Sequence, residues 1–461
     1  MTQPGTPPDL TSRSSHVLGL TRWVGGAVST AFQPTRLVAG FVIALAIWLP
    51  GLAWDTFLGA HMDAPGLLGE PYDDAEQAAV QATLRRLAAD YAPDVVYESA
   101  RVPAAELAAV LEERTLQAPD QGSRDQLAVA AAHAASLAPL GSFEALSRAE
   151  ATAGGMVVDG LLGAAPADMA QGVRLCLWDI PHTLWARDPV FCVVFGLWSG
   201  LVAAVGLGAL GRMEAVQASG RGVIKAGEGF RFAADRWADL VLAWLAPLGI
   251  AAVLGVVCAA WGLLFRIPGG GWVASVLYVV PLALGAVAGL SVLIWALGAP
   301  LAPAAVACDA LDSLDADQRG AIYFIARPGA WLAYAVTVIG VSAFGLVVVR
   351  VVAWLATSWA AVPVSLGAAG RAQVDVLRVT PGGTLPTWSG PGVAVGWWLG
   401  LVGVIVAGAF VSLLAGLLTR MYLALREGCD GQPRTEVWPY EVLADVSDAV
   451  TPGSPINPSR P

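Results

Sequence analysis

Residues 37–57 read LVAGFVIALAIWLPGLAWDTF, with Asp55 as the one charge. At about 1.5 Å per residue, a helix of this length crosses the roughly 30 Å hydrocarbon layer of a bilayer. Pro50 has no amide to continue the helix ladder, so it predicts a kink or an early end to the regular part. A polar leader of 36 residues precedes the run. A secretory signal has a shorter charged region and a shorter apolar core. The expected reading is an uncleaved signal anchor, with cleavage after Ala60 as the alternative.

Five further apolar runs follow at about Val190 to Leu210, Leu240 to Leu263, Trp272 to Leu297, Trp331 to Trp354 and Val393 to Leu418. Tryptophans stand near several ends, at Trp272, Trp354, Trp397 and Trp398, where amphipathic rings suit the membrane–water boundary. The whole chain is 56% hydrophobic and 13% charged, with a mean hydropathy of +0.63. A soluble chain carries roughly 25% charged residues. These features define an all-α, polytopic helical membrane protein with about six transmembrane helices and a helical extracytoplasmic insertion between the first two. The expected divisions are a cytoplasmic leader at 1–36, a first span at 37–57 and an alanine-rich extracytoplasmic helical segment at 58–188. A five-helix membrane domain with interfacial loop helices covers 189–422, and a flexible cytoplasmic tail covers 423–461.

Orientation follows from the basic residues. The leader carries Arg13, Arg22 and Arg36 against Asp9, and the loop after the second run carries Arg212, Arg221, Lys225, Arg231 and Arg236. The loop after the third run has Arg266, and the tail begins with Arg420 and Arg426. Basic short loops favour the cytoplasm. Both termini are therefore expected inside a bacterial cytoplasmic membrane, with the Arg371 and Arg378 loop as a mild exception.

The segment 58–188 holds 19 acidic and 8 basic side chains, a formal charge of −11 against −10 for the whole chain. Helical periodicity begins behind Asp73 or Asp74, with Val80, Leu84 and Leu87 on one face. Further stretches start at Pro103, near Ser123 and at Ser142. The Gly154–Gly155 pair and residues 163–167 predict breaks. Alanine faces yield little apolar burial per residue, so a thin core is expected. Residues 175–189 read LCLWDIPHTLWARDP, and Trp178, Pro181 and Trp185 suggest an interfacial helix. Asp179, His182 and Asp188 lie there, and a structural role is expected for His182.

Two loops resemble each other. One places Phe230, Phe232 and Arg236 before a span, and the other places Tyr323, Phe324 and Arg327 about 92 residues later. They read as a faint repeat of an interfacial helix plus a span. Arg212, Arg231, Arg236 and Arg327 are the candidate interfacial anchors. Positive charge near anionic lipid gains about 1 kcal/mol per residue.

Several function classes lack a signature. Net acidity and the absence of a basic tract give no support for nucleic-acid partners. GRGVIKAGEG lacks the phosphate-cradle spacing, so no nucleotide is expected. Asp309, Asp312, Asp315 and Asp317 lack the ligand order of a calcium loop. Cys176, Cys192, Cys258, Cys308 and Cys429 form no CxxC and build no metal site. No catalytic residue, cofactor or metal is assigned. The spans hold almost no ionisable side chain; Arg350 is the main exception and is expected near the outer boundary.

The stretches WDIPHTLW (178–185), GALGRMEAV (208–216) and GFRFAADRWADL (229–240) are joined by ALDSLDADQRGAIYFIARPGAWLAY (310–334) and TRMYLALREGCDG (419–431). Their arrangement over about residues 175–430 resembles a family of uncharacterised multi-pass membrane proteins from planctomycete-type bacteria. Arg212 matches an arginine that follows a GGAI-like turn there. Met213 and Glu214 replace part of the family's small apolar sequence, and Tyr422, Leu423 and Arg426 match a C-terminal motif. The resemblance implies a membrane fold and no particular activity. The expected function is a non-enzymatic envelope scaffold or accessory subunit, whose partners are the lipid bilayer and other envelope membrane proteins. A transporter or permease component, or a membrane enzyme acting on lipid, is the alternative.

Overall fold

The computed structural model describes residues 23–438, apart from 60, 63–65, 69–71, 96, 98–100, 269 and 368–390. The expectations on Arg13, Arg22, Arg371, Arg378 and the chain beyond 438 lie outside the described residues. The described chain is helical, and its one strand-like feature is an antiparallel bridge between Met62 and Leu140. Among the described residues, six helices are long and apolar enough to cross a membrane. The protein is a polytopic, all-helical membrane protein.

The helices in chain order are α1 (23–31), α2 (Pro34–Leu58), α3 (Asp74–Tyr91), α4 (Ala104–Gln117), α5 (Gln121–Ser136) and α6 (Ser142–Leu162). Next come α7 (Pro166–Arg174), α8 (Ile180–Arg187), α9 (Pro189–Ala218), α10 (Ala226–Asp235) and α11 (Trp237–Gly262). The last are α12 (Gly270–Val276), α13 (Val279–Gly298), α14 (Ala302–Asp309), α15 (Ser313–Ala326), α16 (Pro328–Gly367) and α17 (Pro391–Asp430). The six candidate spans lie in α2, α9, α11, α13, α16 and α17.

Local chemistry explains most boundaries. Asp73 caps α3 in a capping box with Glu76, Asp120 caps α5, and Asp312 caps α15. Pro166 opens α7 and needs no amide partner there. Helix α2 continues through Pro50 to Leu58 rather than ending early. The run from Trp272 to Leu297 is two helices, because residues 277 and 278 form a turn before Pro281. Gly154 and Gly155 do not break α6, which continues to Leu162. There α7 folds back onto α6, with Gly160 and Gly172 giving a close backbone approach. The leader contains α1, with Trp23, Ala27 and Ala31 buried. Of the tail expected from 423, residues 423–430 belong to α17, which extends to Asp430, and Val437 is buried.

The chain divides into two compact units. Unit 1 holds residues 1–40, 200–339 and 411–461. Within it α11 packs along α13, and α15 lies against α11, α13 and α14. Leu210, Met213, Leu240, Leu301, Val306, Tyr323, Tyr422 and Leu425 are buried there. Unit 2 holds residues 41–199 and 340–410. One of its cores joins α3, α4 and α5 through Leu84, Leu107, Leu111, Ala130, Ala131 and Ala134. This is the thin, alanine-rich packing that the composition predicts. A second core gathers Phe143, Ile180, Leu184, Phe191 and Phe195, with Trp48 and Trp54 of α2 against it.

The two similar loops have the same construction. In α10 the Arg236 amide donates to the Phe232 carbonyl at 3.1 Å, and in α15 the Arg327 amide donates to the Tyr323 carbonyl at 3.0 Å. Each arginine carbonyl then accepts the amide four residues on, from Leu240 and from Trp331. Both aromatics are buried. Gly229 and Gly320, at the same relative position, each meet another helix closely, at Ala209 of α9 and at Gly298 of α13.

Candidate functional site

Membrane-facing helices bury few charges because an unpaired ion in a low-dielectric interior costs several kcal/mol. Unit 1 nevertheless buries a set of them. Glu214, near the end of α9, is fully buried between Arg36 of α2 and Arg420 of α17 and pairs with both. Thr30 of α1 donates its hydroxyl to Glu214 Oε2 at 2.7 Å. Arg36 is also fully buried, and its second amino group reaches the Leu210 carbonyl at 3.5 Å.

A second cluster is centred on Asp309 at the end of α14. Arg426 pairs with Oδ1. Oδ2 accepts from the Tyr422 hydroxyl at 2.6 Å and from Arg319 at 3.2 Å. Arg426 also donates to the carbonyls of Pro433, at 3.0 Å, and Glu436, at 2.5 Å. Arg212 donates to the Ala307 carbonyl at 3.1 Å and the Trp438 carbonyl at 2.8 Å, with its guanidinium 5.1 Å from the centre of the Phe232 ring. The Trp438 amide returns to Cys308 O at 2.8 Å. Carboxylates are outnumbered here, and backbone carbonyls absorb the excess positive charge. A forked guanidinium suits this role because it can serve two acceptors in one plane.

The four arginines singled out by the sequence therefore part company. Arg212 is buried, so a side chain lying in the headgroup layer does not describe it. Arg231 and Arg327 are exposed, and Arg236 is half-buried and paired with Asp239 at 3.2 Å. Arg350 is exposed on α16. Asp309 and Arg36 had no local signature of pairing, Arg426 stood only in the C-terminal motif of the resemblance, and the partners of Glu214 could not be named from its own helix.

Unit 2 holds a different polar group. Asp55, the lone charge of the first run, accepts from the Phe143 amide at 2.9 Å and the Glu144 amide at 2.8 Å, which caps α6. The Ser142 hydroxyl donates to Asp188 Oδ2 at 2.6 Å, and His61 Nε2 lies 3.1 Å from Ser142 Oγ and 3.3 Å from Asp188 Oδ2. Serine, histidine and aspartate thus meet, but not as a nucleophile, base and orienting acid. That relay places serine on one ring nitrogen and the carboxylate on the other. Here both meet Nε2, the serine is fully buried, and Nδ1 faces the Gly59 carbonyl at 3.1 Å. Burial pushes the Asp188 carboxyl up, but hydrogen bonds from Ser142 and the Phe191 amide, with His61 beside it, outweigh this and hold it below its ordinary value. The cluster is a joint between α6 and the start of α9. His182 is exposed on α8 and takes no part in it.

Among the described residues, no group of three or more histidine, cysteine or acidic side chains is arranged to hold a metal ion. A hollow of about 350 Å³ in unit 2 is lined by Leu87, Tyr91, Asp125, Gln126, Val129, Ala130 and His133, and its mouth is wide. No family model matches the chain, and no curated protein or solved structure matches it.

Proposed function

We propose that this chain is a non-enzymatic scaffold or accessory subunit of a bacterial cytoplasmic membrane, with both termini in the cytoplasm and residues 58–188 outside. The observation that carries the reading is the buried charge network of unit 1. Glu214 and Asp309 take four guanidinium partners from three helices, α2, α15 and α17, and Arg212 donates to backbone carbonyls. Such a network holds helix ends in one arrangement and leaves its charges committed. Arg231, Arg236 and Arg327 serve as headgroup anchors, since positive charge and a long apolar stem suit that layer. The family resemblance over 175–430 belongs to the same proposal.

The test is reconstitution into vesicles, alongside photo-crosslinking in native membranes from Val129, which is 70% exposed. A scaffold gives a discrete crosslinked product and no transport. Saturable solute uptake above empty vesicles, or turnover of labelled envelope lipid that survives purification, would overturn it. Uptake would select a transporter component instead. One observation favours that second reading: the matched α10–α11 and α15–α16 units, since repeated halves are a common transporter design.

A further inference from the structure

One buried acid stands outside both charge clusters. Asp317, on the second turn of α15, is 3% exposed, and its Oδ1 has no hydrogen-bond partner. It lies where α15 crosses the end of α13. A Cβ on Gly298 would stand 2.5 Å from Asp317 Oδ1, and one on Gly320 would stand 2.7 Å from Gly298 Cα. Two glycines therefore let the backbones meet, and the carboxyl is shut into the crossing. Gly298 ends its helix, so the negative end of the α13 dipole faces the acid. Both conditions disfavour the ionised form.

The surrounding charges do not compensate. Helix α13 has no ionisable side chain. From α11 come Asp239, which pairs with Arg236, and Cys258, whose thiol faces the Pro281 carbonyl. From α14 come Cys308 and Asp309, the latter held by Arg426, Tyr422 and Arg319. From α17, Arg420 pairs with Glu214, Glu427 pairs with Arg434, Tyr323 binds Asp430, and Cys429 carries no positive charge. On α15 itself, Arg319 faces Asp309, Tyr323 faces Asp430, and Asp315 adds only negative charge. Burial pushes the Asp317 carboxyl up to about 6.

The first copy of this joint shows that the acid is not required to build it. Counting back from Gly320, Tyr323 and Arg327 to Gly229, Phe232 and Arg236, the position of Asp317 is held by Ala226. Helix α10 closes on α9 through Gly229 with an alanine there.

We propose that Asp317 is a proton-binding site which holds α15 docked on α13 while it is a carboxylic acid and loosens that joint when the proton leaves to water. A buried acid with a raised value favours the docked form at low pH, and that contribution is lost as pH rises from about 4 through about 6. The proposal goes beyond the scaffold reading and does not depend on it.

The experiment is hydrogen exchange of the full chain in lipid nanodiscs, read on the peptide covering 313–326 and corrected for intrinsic exchange. Between pH 5 and pH 8 the opening of this helix should rise about tenfold, the change set by a carboxyl that moves from about 3.8 to about 6 on docking. In Asp317→Asn and Asp317→Ala that rise should vanish, while α10 stays unchanged in all three proteins. The alanine variant copies the first joint and guards against a failure of the asparagine variant to fold. Infrared spectra supply an independent readout, in which a protonated-carboxyl band should be present at pH 5, lost by pH 7 and missing from Asp317→Ala. Equal opening at both pH values in the natural protein, a tenfold rise that survives in either variant, or a band unaffected by Asp317→Ala would overturn the proposal.

Discussion

Glu214 is the residue on which the polar interior of unit 1 turns. It is fully buried, two guanidiniums pair with it, and one of those, Arg36, is itself fully buried. Removing one partner of a buried pair leaves an uncompensated charge, at a cost of about 3–5 kcal/mol. Glu214→Ala should therefore lower the thermal midpoint in detergent and the amount recovered in membranes. Replacing the whole triad, Arg36→Met, Glu214→Met and Arg420→Met, should recover much of that loss, since apolar replacement of a complete buried ionic group is often neutral. A single variant as stable as the natural protein would show that the interaction contributes little. Asp188 offers a pH test in unit 2. Its value is depressed in the folded state, so its contribution is present above the ordinary carboxylate value of about 4 and is lost as pH falls through the folded value. Local exchange at residues 142–146 should rise on acidification in the natural protein, and Asp188→Asn should remove that part of the rise.

At the level of elements, joints recur in which one helix end is held by something remote in sequence. Helix α6 begins on the Asp55 carboxylate, contributed by the end of α2. Losing a cap costs about 1 kcal/mol, and here two amides lose their acceptor together. Asp55→Ala should loosen the first turn of α6, seen as faster exchange at Phe143 and Glu144 with α3 to α5 unaffected. The glycine crossings are the second kind of joint. Gly320→Ala would place a methyl against the Gly298 backbone, and overpacking of this sort costs about 1–3 kcal/mol. Exchange in 313–326 should rise at every pH, which separates this steric effect from the loss of a titration. Sequence reading reached the α10 and α15 repeat through its aromatics and arginines. It missed the glycines, because their significance is the approach of another helix and that helix is not their sequence neighbour.

For the whole molecule, six apolar helices among the described residues carry the length and apolarity that insertion needs, and none of them lies in the segment between the first two spans. Deleting residues 70–165 should leave a protein in the membrane fraction, because the apolar runs that drive insertion are intact. Loss of the other five spans from that fraction would contradict this. The proposed orientation has its own test. Single cysteines at Val129 and Val223, both well exposed, should label from opposite faces of sealed membranes in a cysteine-free background. Labelling of both from one face would exclude a cytoplasmic N-terminus combined with an outer 58–188 segment.

The membrane class and the approximate positions of all six spans were determined by sequence alone. The physical reason is that lipid reads each twenty-residue run locally, through apolarity and length. Capping aspartates are equally local, and Asp73 stands among the readings made from the sequence. Tertiary structure decided the rest. Arg212 and Arg231 look alike beside apolar runs, yet one is buried on carbonyls and the other is exposed. Glu214 finds its partners 178 and 206 residues away, and His61 meets Ser142 and Asp188 from 81 and 127 residues away. Gly154 and Gly155 read as a break, but packing of α7 against α6 outweighs glycine's conformational freedom, and the helix runs through. The fate of a charged or flexible residue in this protein is set by which helix end arrives beside it, and periodicity along one helix does not encode that meeting.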